Sequence, residues 1–433
     1  MSFPKFSITL SFSLFLFCSA FAQRKPNIII ILADDMGYAD IEPYGAKDIR
    51  TPALNRLARE GVKLTNFYSN GPNCTPTRAG LMTGRWQQRV GLEWATRPTD
   101  KNAELPLSET TVASTLKNAG YATGIFGKWH LGYDIARGPV AHGFDEFFGL
   151  LTGNVDMYSH QYRTGMADLY EGTKPVEREG YLTDLLTEKS VDFISRHKAE
   201  PFFLYVPYNA VHWPFQVPGT PHDIRTLATW FDGTRQDYAR MLERMDWGIG
   251  QILQALDQHK LSNDTLVVFT NDNGGERLSD NRPLFHHKST LWEGGIRVPC
   301  LLRWPGKLPA EFVSEQMAIT MDLTATAVAM ANAQAPKPLD GVNLLPLLQR
   351  NAKPQPRTFF WRINQPGIAQ KAVRSGQWKY VQEGENELLF DLRRDIGERD
   401  DLRYRRPDIV AALRAQFAGW EKDVSQSPVG LTR

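Results

Sequence analysis

Short, wholly apolar runs alternate along the chain with stretches whose apolar residues recur every three to four positions. Asn27–Ala33 (NIIIILA) is apolar on both alternating sets of positions, the pattern of a strand buried on both faces of a parallel sheet. Residues 121–126, 202–208, 266–270 and 298–303 read the same way. Between them, Tyr238, Met241, Leu242, Met245, Ile249, Ile252, Leu253 and Leu256 line one face of a helix over Arg235–Gln258. That Met and aromatic stripe is core packing. Weaker helical patterns cover 110–119, 182–197 and 51–59, the last with Pro52 near its first turn. Such alternation predicts an α/β fold, a central mostly parallel sheet flanked by helices.

A Pro-rich passage from Ala335-Pro336-Lys337-Pro338 to Lys353-Pro354-Gln355-Pro356 reads as the join to a second unit. Beyond it, residues 358–363, 371–374 and 378–381 have the look of short antiparallel strands, and 407–421 that of a closing helix. The expected organisation is a catalytic domain over 23–355 and a smaller α+β subdomain with an antiparallel sheet over 356–433. Residues 1–22 differ from both. Lys5 precedes an apolar stretch over 6–17, and Ala20-Phe21-Ala22 offers a small-x-small cleavage site before Gln23. This is the pattern of a secretory signal peptide, so a secreted or periplasmic location is expected. No other stretch approaches ~20 uninterrupted apolar residues, and no membrane anchor is expected.

Composition narrows the picture. A net charge of +2 over 433 residues gives no overall field that would draw nucleic acid or an anionic membrane. Any preference for anions must come from local placement of Arg, Lys and His. Cys18 leaves with the signal, so only Cys74 and Cys300 remain and at most one disulfide can form. Disulfides do not hold this fold together.

Chemistry appears where each strand is followed past its C-terminal end, the edge at which open parallel sheets bind ligands. The first strand is followed by Asp34-Asp35, the next by Lys128-Trp129-His130, a third by Asn209-Ala210-Val211-His212 and a fourth by Asp272-Asn273-Gly274. Asp34, Asp35, Asp272 and Asn273 offer only oxygen ligands, a hard set that suits Ca²⁺ or Mg²⁺ rather than zinc. Adjacent Asp residues at a strand exit repel each other unless a cation lies between them or one is protonated. Arg78 stands four residues beyond Cys74, on the same face of a helix beginning there. Lys128 and His130 alternate like strand residues and would point the same way.

The segment Cys74-Thr75-Pro76-Thr77-Arg78-Ala79-Gly80-Leu81-Met82-Thr83-Gly84-Arg85 resembles the signature of the formylglycine-dependent sulfatases, in which Cys-x-Pro-x-Arg directs oxidation of the cysteine to an aldehyde. Thr77 stands where that signature usually has Ser. Asp34-Asp35-Met36-Gly37-Tyr38, Gly127-Lys128-Trp129-His130-Leu131-Gly132, Asn271-Asp272-Asn273-Gly274-Gly275 and Lys288 with Glu293-Gly294-Gly295-Ile296-Arg297 resemble further motifs of that family, in order along the chain. So does the closing Leu389-Phe390-Asp391-Leu392.

The resemblance implies an alkaline-phosphatase-like fold, a maturation enzyme that makes formylglycine at Cys74, and Ca²⁺ ahead of Mg²⁺. It implies that Asp34, Asp35, Asp272, Asn273 and the modified Cys74 hold the cation. A hydrated aldehyde offers one hydroxyl to attack sulfur and a second that lets sulfate leave again. Asp272 is implied to take the attacking proton, Arg78 to brace residue 74, Lys128 to contact sulfate and His130 to deprotonate the second hydroxyl. His212 and Lys288 are implied to meet sulfate and the leaving oxygen, either one serving as acid.

Residues 143–149, 156–160 and 212–218 look similar to segments of N-acetylgalactosamine-4-sulfatases, which points to a sulfated saccharide such as a glycosaminoglycan or algal galactan. Asp156, His160 and Trp213, with Trp94 and Arg97, are the expected pocket rim. Two other readings use the same residues: a phosphonate or phosphodiester hydrolase of the same superfamily, and a non-catalytic glycan-binding relative.

Overall fold

The computed structural model describes residues 4, 24–100, 103–220 and 222–426. The signal peptide read at 1–22 lies outside the described residues apart from Pro4. A ten-stranded sheet organises the molecule, in the spatial order Phe312–Ser314, Val62–Leu64, Cys300–Arg303, Thr265–Asn271, Asn27–Ala33, Phe202–Pro207, Ala122–Lys128, Glu146–Leu150, Tyr170–Glu171 and Lys174–Pro175. The five strands from Thr265–Asn271 to Glu146–Leu150 are mutually parallel. Their C-terminal ends therefore share one edge.

Every residue of Asn27–Ala33 is buried. Ile29, Ile31 and Ala33 enter one apolar layer with the helices Leu182–Arg196 and Arg235–Gln258, while Ile28, Ile30 and Leu32 enter the layer on the opposite face. Burying each such side chain contributes about 1.5–3 kcal/mol, which is why a wholly apolar run occupies the centre. Thr234 caps the long helix by accepting from the backbone N–H of Asp237, whose carboxylate accepts in turn from the Thr234 N–H.

One expected strand runs the other way. Cys300–Arg303 is antiparallel to Thr265–Asn271. No crossover helix returns the chain after Asn271; residues 272–299 stay at the ligand edge, so the next strand must run back. The helix Met321–Met330 was not visible as a periodic pattern, because eight of its ten residues are buried and no polar stripe marks it.

The C-terminal region is a four-stranded antiparallel sheet, Thr358–Gln365, Ile368–Ser375, Trp378–Glu383 and Asn386–Asp391, covered by the helix Pro407–Ser425. Val410, Leu413, Phe417, Trp420 and Val424 form the buried face of that helix at spacings of three and four. Trp361 of this sheet donates from Nε1 to the Ser69 carbonyl at 2.9 Å, and Arg374 donates to the Tyr68 hydroxyl at 3.0 Å. The segment leading to Cys74 is thereby pinned from behind.

Candidate active site

Strand register assembles the site. Ala33 pairs with Asn271, so Asp34 and Asp272 leave neighbouring strands side by side. Leu32 pairs with Pro207 on the other flank, which carries His212 to the same edge. After Asp272 the chain turns at Gly274, where a Cβ would lie 1.8 Å from the Gly294 carbonyl; only glycine permits that approach. The returning segment places Lys288 by two backbone bonds, its N–H donating to Gly275 and that of Ser289 to Pro72.

Cys74 opens a helix, Cys74–Thr83, that is buried along its whole length. Its Sγ lies 3.7 Å from Asp34 Oδ1, and burial pushes the thiol up to about 12. One turn on, Arg78 donates from Nη2 to Asp272 Oδ2 at 2.8 Å and lies 3.8 Å from Asp34 Oδ1. Its Nη1 donates to the Lys128 carbonyl at 3.0 Å. Lys128 donates to Asp34 Oδ2 at 2.6 Å, and Lys288 to Asp35 Oδ2 at 2.6 Å. His212 Nε2 lies 3.3 Å from that same Asp35 oxygen, with Nδ1 2.7 Å from the Trp213 carbonyl. Cys74, Arg78, Lys128, His212, Lys288 and the carboxylates are thus brought together in one buried cluster.

The charges in this cluster are unequal. Burial, with the neighbouring Asp272, pushes Asp34 up to about 8. Burial would raise Asp35 too, but Lys288, His212 and Lys128 outweigh it and hold its carboxyl below the usual range. Burial pushes His212 down to about 3, so the ring is neutral at neutral pH. Burial opposes the charge on Lys288, yet Asp35 and its anionic neighbours hold the ammonium well above its ordinary value.

A hard cation fits these donors. Atoms of Asp34, Cys74 and Asp272 lie within 4.8 Å of one another, as do atoms of Asp34, Asp35 and His212. Asn273 donates to Asp35 Oδ1 at 2.8 Å, while its own Oδ1 is buried without a hydrogen-bond partner. A buried amide oxygen without a partner, beside three closely spaced carboxylates, is a donor set of the chemistry that a hard cation takes.

His130 departs from the alternation read in the sequence. Strand geometry ends at Lys128, and His130 has a left-handed φ of 54°, which redirects the ring. Its Nε2 lies 3.1 Å from the Thr96 carbonyl, an acceptor, so that nitrogen carries the proton and buried Nδ1 is left with a free lone pair. Burial and the charges of Lys128 and Arg78 hold the ring well below its ordinary pKa.

The expected rim divides. Asp156 is buried and its carboxylate is consumed by the N–H groups of Tyr158, Ser159 and Arg225 and the amide of Gln216, at 2.7–2.9 Å. It is a loop staple with no free oxygen for a ligand. His160 lines a separate cavity with Tyr158 and Arg178, among residues other than the carboxylate cluster. Trp94 borders a cavity shared with Asn364 and Gln365 of the C-terminal sheet, and Arg97 is exposed. Trp213 belongs to the site: its ring centroid is 4.2 Å from that of His212, and Nε1 donates to Glu276 Oε2 at 3.1 Å. Glu276 was missed in the sequence. It follows the Asn271-to-Gly275 motif by one residue, and a single Glu in a loop carries no signal of its own.

Fold and cluster define an α/β protein with three carboxylates and three cationic side chains buried together at the ends of parallel strands. A family model described as Sulfatase matches residues 26–333, and one described as N-sulphoglucosamine sulphohydrolase, C-terminal, matches 283–421. The chain belongs to the sulfatase family and is a sulfuric ester hydrolase. It is 32% identical to steryl-sulfatase of Mus musculus over 88% of this chain and 79% of that protein. It is 33% identical to N-acetylgalactosamine-6-sulfatase of Homo sapiens over 90% of this chain and 84% of that protein. The crystal structure of Ps i-CgsB superposes with a TM-score of 0.86 at 32% identity, covering 93% of this chain and 94% of that one. The same likeness, at 31% identity, holds for its complex with k-i-k-neocarrahexaose.

Proposed function

We propose that this protein removes sulfate from a sulfated saccharide after export, using formylglycine made from Cys74 and a bound Ca²⁺. One observation carries the proposal: the Cys74 side chain, Arg78 and Lys128 all converge on the buried carboxylate of Asp34.

Asp34, Asp35, Asp272 and Asn273 would hold the cation, which when bound supplies charge neutralisation and Lewis acidity at residue 74. Converted and hydrated, residue 74 supplies a hydroxyl for in-line attack and a second hydroxyl for sulfate release. Asp272 accepts the attacking proton, while Arg78 keeps residue 74 in line with it through two hydrogen bonds to its carboxylate. His130 Nδ1 accepts the proton of the second hydroxyl. Lys128 and Lys288 screen the sulfate oxygens, and Lys288, protonated at rest, delivers its proton to the leaving oxygen with neutral His212 beside it.

A saccharide is supported by the likeness to a protein crystallised with a neocarrahexaose and to N-acetylgalactosamine-6-sulfatases. Export is supported by the leader pattern at 1–22, and no helix among the described residues is long and apolar enough to cross a membrane. Ion chromatography of sulfate released from a panel of sulfated saccharides, run beside an aryl phosphonate, tests the reading. Sulfate release is the expected outcome; faster turnover of the phosphonate, or glycan binding without release, defeats it.

A further inference from the structure

On the leaving-group side of the cluster, Glu276 Oε2 accepts from Trp213 Nε1 at 3.1 Å and lies 3.7 Å from Lys288 Nζ. Both contacts use Oε2; among the described residues Oε1 accepts no hydrogen bond. The carboxylate is about one-third exposed and lines an open cavity of about 1330 Å³ that also reaches Arg277 and His287. Trp213 packs edge-on against Phe231, ring centroids 4.7 Å apart, and Phe231 is 38% exposed.

A carboxylate oxygen that accepts no hydrogen bond, beside partly buried Trp213 and exposed Phe231, matches one kind of ligand: a ring with hydroxyls on its rim and C–H groups on its face. A flat aryl or sterol leaving group offers no ring of hydroxyls, so Oε1 would be covered without a donor.

Resting on the sulfatase reading, we infer that Glu276 determines specificity for a sugar leaving group, its Oε1 accepting a hydroxyl of the sulfated ring while Trp213 and Phe231 flank the ring's apolar face. Lys288 stands at the junction, close enough to Glu276 and Asp35 to meet the leaving oxygen of a ring held there. Glu276 binds substrate and takes no part in the proton transfers.

The test uses the full matured enzyme, the sugar monosulfate it desulfates fastest, and the monodeoxy analogues of that sugar. Wild type should lose about tenfold in kcat/KM on one analogue, the size of a hydrogen bond to a charged group. Glu276→Ala should lose about tenfold on the parent sugar and show no further loss on that analogue, with Glu276→Gln between. If Glu276 only steadies Lys288 and Trp213, the variants lose the same factor on parent and all analogues, and the inference falls. It falls equally if neither variant changes any ratio. A wild type that hydrolyses aryl sulfates but no sugar sulfate removes the saccharide reading and this subsite together.

Discussion

Lys288 and His212 approach a single oxygen, Oδ2 of Asp35, at 2.6 and 3.3 Å. Two candidate acids therefore share one carboxylate, and they differ in state: burial leaves His212 neutral, with a pKa of about 3, whereas Asp35 keeps Lys288 protonated. Of the two, Lys288 is then the cationic donor. Lys288→Ala should lower kcat/KM on sugar sulfates by about 10²–10⁴-fold, the range for losing a general acid. The loss should be much smaller on 4-nitrophenyl sulfate, whose leaving oxygen needs no proton. Equal losses on both substrates would assign Lys288 to sulfate binding instead.

The orphaned Asn273 Oδ1 and the repelling carboxylates around it predict cation-linked stability. Chelation should lower both the melting temperature and activity, and Ca²⁺ should restore both. At a hundredfold excess over its dissociation constant, the ion stabilises by about 2.7 kcal/mol. Asn273→Ala should raise the Ca²⁺ concentration needed for half-restoration, followed by thermal shift. A melting curve indifferent to chelator would remove these residues as ligands.

Thr77 sits where the sulfatase signature usually has Ser, and the structure accounts for the tolerance. Its hydroxyl donates to the Gly71 carbonyl at 3.0 Å and accepts from the Gly71 N–H at 3.1 Å, a pair of bonds that either residue can make. Thr77→Ser should mature and fold as the parent does. Thr77→Val leaves the buried Gly71 N–H unpaired, while Ser69 Oγ still donates to the Gly71 carbonyl at 2.7 Å, and should cost about 1–3 kcal/mol, measured by urea unfolding.

His142 lies against Trp129, ring centroids 5.4 Å apart, with Nε2 buried and unpartnered. Burial pushes its pKa down to about 4. The unfolded chain binds a proton there below pH ~6.5 and the folded chain does not, so stability falls as pH drops from ~6.5 towards 4. His142→Phe should shrink the stability difference between pH 7.5 and pH 5 by about 2 kcal/mol. An unchanged difference would mean that the ring is protonated in the folded state.

Much of this was legible in the residues. Wholly apolar strands announce themselves, and following each to its C-terminal end found Asp34, Lys128, His212 and Asp272 before any geometry was known. Cys300–Arg303 was read as parallel because an apolar run does not record its direction; only the absence of a crossover helix does. Met321–Met330 was invisible because burial on every side removes periodicity. Asp156 is expected at the pocket rim because an acidic loop residue reads alike whether it faces a pocket or staples its own backbone. Glu276 was silent for the opposite reason: its part comes from Trp213 and Lys288, which are distant in sequence and adjacent only after folding.

Mass analysis of the peptide that carries residue 74, taken from active protein, tests the central claim most directly. The account predicts an aldehyde in place of the thiol, in a fraction that tracks specific activity across preparations. Full activity in protein whose residue 74 is wholly unmodified cysteine would contradict it.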